Sequence, residues 1–88
     1  MSQSTMHPRI AELARELFPI TKNPPAQPTK QDYDKLQTIR GRIKRLPDEA
    51  GISLSESDET DRQYLYVVST REANRQEEFW EKNGKWAS

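Results

Sequence analysis

The stretch LQTIRGRIKRL places its apolar residues at Leu36, Ile39, Ile43 and Leu46. This 3-4-3 spacing marks one stripe of an α-helix, and a strand with its period of two has no use for it. The stripe is a narrow seam, wide enough to pack on one neighbour. Ile10, Leu13, Ala14, Leu17 and Phe18 repeat the pattern nearer the N-terminus. These two stripes constrain the fold most, because little else can build a core. Of the 88 residues 32% are hydrophobic and 32% charged, with a mean hydropathy of −1.09. The length allows one small domain over residues 1–88, and a domain of that size is marginal in stability. There is no cysteine to staple it.

The first helix is expected over Pro8–Phe18. Proline suits a first-turn position, Ser4 or Thr5 would cap it, and Pro19 would stop it. Residues 1–7 read as disordered. Residues 19–29 contain Pro19, Pro24, Pro25 and Pro28 and read as a stiff connector. PPAQP also holds a P-x-x-P spacing, for which a plain spacer is the favoured reading. The second helix is expected over Lys30–Leu46, with Thr29 as cap and Asp32 three residues on. Pro47 ends it, and PDEAG makes one more turn, closed by Gly51.

Beyond this point the pattern changes. GISLS alternates Ile52 and Leu54 with serines, as a half-buried strand would. ESDETD reads as a polar turn. RQYLYVVST is rich in aromatic and β-branched residues and reads as the strongest strand, with Tyr64, Tyr66 and Val68 on one face and Leu65 and Val67 on the other. Ser69 and Glu72 make an S-x-x-E capping box for a last helix ending at Asn83, with Gly84 as its stop. Ala73, Gln76, Phe79, Trp80 and Asn83 share an arc of that helix, and Trp86 follows it. The expected fold is therefore a small α+β domain in the order α-α-β-β-α.

Catalysis finds little support. The one imidazole, His7, sits in the N-terminal stretch beside a proline, and there is no thiol. The acids of SESDETD lack the alternating ligand spacing of a calcium loop. No glycine-rich phosphate loop is present. The expectation is a protein that is not an enzyme and uses no metal or cofactor. No apolar run approaches the roughly 20 residues of a membrane span, and no secretory leader is visible. A cytoplasmic location is expected.

Binding remains. Net charge is zero, but residues 30–46 carry six bases and two acids, and residues 47–61 carry six acids and no base. Gln37, Arg40, Arg42, Lys44 and Arg45, with Thr38 beside them, offer a surface that DNA phosphates and base edges would accept. A basic helix followed by a hairpin resembles, in the order of elements alone, the recognition helix and wing of winged-helix regulators and small excisionases. That resemblance implies a DNA-binding regulator. Against it, the hairpin turn carries Glu56, Asp58, Glu59 and Asp61, which phosphates repel, and the spacer before the basic helix is too long for a helix-turn-helix.

The favoured reading is a regulatory or inhibitory protein that binds another protein or a nucleoprotein complex. Tyr64, Tyr66 and Trp86 are the candidate contacts, since Tyr, Trp and Arg are enriched at interface hot spots. The acids Glu56, Asp58, Glu59 and Asp61 would face a charged partner or act as a nucleic-acid decoy. Self-association through the hairpin is a further expectation. A charge-rich, cysteine-free chain of this kind is similar in style to small accessory proteins of phages and mobile elements.

Overall fold

A computed structural model describes residues 6–88. It contains three α-helices: α1, Pro8–Lys22; α2, Lys30–Arg45; and α3, Glu56–Asn83. A short 3-10 turn, Leu46–Asp48, follows α2. Each helix packs on both others. Cross-links between side chains fix their directions. Arg9 pairs with Glu49, and Arg42 with Glu16, so α2 runs antiparallel to α1. Arg62 bonds the Ile43 carbonyl, and Arg40 bonds Thr70, so α3 runs antiparallel to α2.

The expected β-hairpin does not exist, and with it goes the α+β class. Residues 56–83, which include both the polar turn and the second strand, form one 28-residue helix, about 42 Å long at the usual rise. Among the described residues the only bridge of β type is an isolated one between Thr29 and Ala87. The helix starts where a turn was expected because Ser55 is a capping residue. Its Oγ accepts from the Asp58 N–H at 3.1 Å, while Asp58 accepts from the Ser55 N–H at 3.0 Å. Glu56, Asp58 and Glu59 then lie in the first turn, where the helix dipole favours negative charge.

The buried residues of α3 are Leu65, Ser69, Glu72, Ala73 and Gln76, a helical period. Only Leu65 and Ala73 among them are apolar, so the stripe that marks α1 and α2 is missing here. Val67 and Tyr64, which suggested a strand, point outward instead, and β propensity gives way to the tertiary context. Ser69, expected as a cap, lies mid-helix, and its hydroxyl donates to the Tyr66 carbonyl at 2.8 Å. Gly84 ends the helix in the left-handed conformation (φ 69°), as expected of it.

Two further expectations need correction. Pro19 does not stop α1, which continues to Lys22. The hydrogen bond Pro19 forgoes would run to the carbonyl of Arg15, an exposed residue, and the added turn lets Ile20 pack on the core. His7 is the cap of α1, its Nδ1 accepting from the Arg9 N–H at 3.1 Å. Ser4 and Thr5 lie outside the described residues.

The second helix agrees with the sequence reading. Thr29 and Asp32 make a full capping box, and Leu36, Ile39, Ile43 and Leu46 are all buried. The rest of the buried apolar core is Ile10, Leu13, Ala14, Leu17, Leu65 and Ala73. It is aliphatic throughout. Phe79 is half-buried and Trp80 46% exposed, so the aromatics at the end of α3 do not anchor it.

Candidate interaction surface

Helix α3 packs on α1 and α2, and its outer face has no neighbour among the described residues. On the α2 flank stand Tyr66 and Thr70. Arg40 reaches across to both. Its guanidinium lies 5.1 Å from the Tyr66 ring centroid, and Nη2 donates to Thr70 Oγ1 at 3.1 Å and to the Tyr66 hydroxyl at 3.4 Å. Nη1 donates to Gln37 Oε1 at 2.7 Å. Gln37 and Arg40, read as nucleic-acid contacts, and Tyr66, read as a protein contact, thus belong to one cluster joining two helices.

The other bases of α2 divide by side. Arg42 donates to both carboxylate oxygens of Glu16 on α1, each at 2.9 Å. Lys44 and Arg45 are exposed. A Cβ on Gly41 would lie 3.0 Å from Arg45 Nη1, so this glycine is covered by that side chain.

The acids at the start of α3 do not reach back to these bases. Glu59 holds Arg62, three residues on, through both carboxylate oxygens, and also accepts from Gln63 at 2.9 Å. The hydrogen bonds from Arg62, then that from Gln63, pull its carboxyl down to about 2. Arg62 itself donates from Nη1 to the Ile43 carbonyl at 3.0 Å, capping the end of α2. Asp58 is held below the usual carboxylate range, chiefly by its bond from the Ser55 N–H. Glu56 is exposed and Asp61 half-buried. This acidic stretch is a helix start and the foot of a cross-helix clamp.

Lys44, Arg62, Gln63, Tyr66 and Val67 line a shallow groove of about 210 Å³ between α2 and α3. Beside it, on the outer side of α3, Tyr64 is 61% and Val67 48% exposed. They stand three residues apart, one turn of helix, and so are neighbours. The strand reading placed Val67 on the opposite sheet face from Tyr64, whereas the helix makes the two neighbours. Lys44, which lines this groove, and Arg71, one helical turn beyond Val67, are exposed and, among the described residues, take part in no ion pair.

Trp86 stands apart from this surface. It is half-buried, stacked on Tyr33 of α2 with ring centroids 4.8 Å apart, and tilted against Trp80 at 6.4 Å. The Tyr33 hydroxyl donates to Glu77. Burial first, and then this hydrogen bond, push the Tyr33 phenol up to about 12. Tyr33 carried no signal in the sequence, since it lies off the α2 seam. The proline connector is pinned at the same end. Pro28 is buried, and the Pro25 carbonyl accepts from Arg75 at 2.6 Å.

Among the described residues no group of three His, Cys, Asp or Glu side chains could hold a metal ion, and no helix is long and apolar enough to cross a membrane. Comparison with known protein families, with characterised proteins and with solved structures finds no match to this chain.

Proposed function

We propose that this chain is a non-enzymatic interaction protein, regulatory or inhibitory, that docks on a protein partner through the outer side of α3. The observation that supports this reading is the exposed pair Tyr64 and Val67, adjacent on the long helix and beside the groove floored by Tyr66. Large side chains left in water at neighbouring positions are what a binding helix presents, and tyrosine gives much contact area at small entropic cost. The cations around the pair, Lys44 and Arg71, call for a partner with an apolar centre and an acidic rim.

DNA binding by α2 is the weaker reading. Arg40 and Arg42 spend their guanidinium groups on Tyr66, Thr70 and Glu16, and Lys30 pairs with Asp34, which among the described residues leaves Lys35, Lys44 and Arg45 as the uncommitted cations of α2. A helix with three such charges makes few phosphate contacts. The hairpin that was to serve as a wing is a helix.

The test is affinity capture from a lysate of the source cells, with nuclease added, comparing wild type with Tyr64→Asp/Val67→Asp. The proposal expects the double variant to keep its helical circular dichroism and to lose the captured protein. Equal capture by both would overturn it. In parallel, a gel shift at low salt that is abolished by Lys44→Glu/Arg45→Glu would favour the DNA reading.

A further inference from the structure

The segment after α3 behaves as a ligand bound to its own protein. Gly84 turns the chain at φ 69°, and the residues beyond it lie back against the start of α2. Two contacts of different kinds hold them. The Trp86 ring stacks on Tyr33 and meets Trp80. One residue later the Ala87 N–H donates to the Pro28 carbonyl at 2.9 Å, in a parallel bridge with Thr29. An aromatic ring stacked on another beside a backbone N–H bonded to a fixed carbonyl is how a peptide docks by strand addition, with main-chain bonds for affinity and a side-chain site for specificity.

The groups that receive this segment also have partners elsewhere in the protein. Tyr33 is oriented by its bond to Glu77. The carbonyl of Pro28 belongs to a buried residue, one position before the capping box that starts α2. The neighbouring Pro25 is held by Arg75. The segment contributes the Trp86 ring and the Ala87 N–H, and Trp80, which meets that ring, remains 46% exposed.

The geometry points to a second binding site, formed by Tyr33, Trp80 and the Pro28 carbonyl, for an extended, tryptophan-bearing segment of a protein partner, shut in cis by this chain's own Trp86. The chemistry of the occupant is read from the one now bound: an aromatic side chain followed by a free backbone N–H, running parallel to Thr29. A tether of so few residues gives the internal ligand an effective concentration in the millimolar range. A free segment of equal intrinsic affinity is therefore excluded at micromolar concentration, and the site opens only to a better ligand or after the strap is released. This site is separate from the Tyr64–Val67 surface and does not depend on its role.

The test uses two variants of the whole chain and a labelled peptide of sequence KNGKWAS, residues 82–88. Trp86→Ala removes the internal ring. Ala87→Pro removes the N–H that bonds the Pro28 carbonyl and leaves the aromatic site untouched. Fluorescence anisotropy should show both variants binding the peptide on the order of ten-fold or more tightly than wild type. Binding should fail for KNGKAAS, and should fail again when Tyr33→Ala is added to Trp86→Ala. Folded variants that bind no better than wild type, or bind both peptides equally, would overturn the inference. If one variant loses its helical spectrum, the other decides. If both lose it, the segment is part of the fold and no detachable strap exists.

Discussion

The Arg40 guanidinium lies over the Tyr66 ring, 5.1 Å from its centroid, and joins the two longest helices of the protein. It also donates to Gln37 and Thr70. A cation over a tyrosine face contributes about 0.5–1 kcal/mol at a partly exposed site, and each hydrogen bond a comparable amount. Arg40→Ala should therefore lower unfolding stability by about 1–2 kcal/mol, while Lys44→Ala, one turn along and exposed, changes it by less than about 0.5 kcal/mol. A double-mutant cycle with Tyr66→Leu, followed by urea denaturation, isolates the pair. A coupling energy of zero would show that the contact is incidental.

Gln76 is wholly buried, and its Oε1 has no hydrogen-bond partner among the described residues. Its amide donates to Glu72, which keeps two further bonds from Arg75. An orphaned buried acceptor costs about 1–3 kcal/mol. Gln76→Met, close in volume, should thus raise stability by about 1 kcal/mol and shift Tm upward by several degrees in a scanning calorimeter. A lower Tm would mean that the amide contributes more to the core than its missing bond costs.

Acid weakens the α2–α3 clamp in a defined window. The Glu59 carboxyl falls from its ordinary 4.5 to about 2 on folding, mainly through Arg62. A lowered folded-state value contributes stability above the unfolded value and loses it as pH drops through the folded one. The contribution is complete above about pH 4.5 and vanishes toward pH 2. Denaturation curves of wild type and Glu59→Gln should differ at neutral pH and converge across that window. A constant difference down to pH 2 would deny the link.

Tyr33 carries the opposite sign. Its phenol is pushed up to about 12 by burial and by Glu77, so the neutral form is favoured by folding. The stability this gives is complete below pH 10, the ordinary value, and is lost toward 12. An ultraviolet phenolate titration should show one group near 12 that disappears in Tyr33→Phe. Its persistence in that variant would place the perturbed phenol elsewhere.

Helices α1 and α2 were legible because their buried positions are filled by Ile and Leu at helical spacing, with Pro8, Thr29 and Pro47 marking their ends. Helix α3 was not. Its inward face mixes Leu65 and Ala73 with Ser69, Glu72 and Gln76, while Tyr64 and Val67 lie outside. The apolar residues of YLYVV therefore follow no helical stripe, and β-branched composition suggested a strand. The S-x-x-D of Ser55 and Asp58 was the available signal, identical in kind to Thr29 and Asp32. Of the proposed surface, Tyr64 was singled out from the sequence, while the strand period placed Val67 on the opposite face from it. The pairing of Arg40 with Tyr66 depends on the antiparallel register of α2 and α3, which a sequence with a missing helix could not provide.

The proposed surface exists only if residues 56–83 are one helix. Backbone NMR tests this most directly, through Cα chemical shifts and sequential contacts over residues 62–70. The account predicts helical shifts from 56 to 83 without a break, with i to i+3 contacts through Tyr64, Val67 and Thr70. Extended-chain shifts over 62–70, with cross-strand contacts to 52–55, would contradict it.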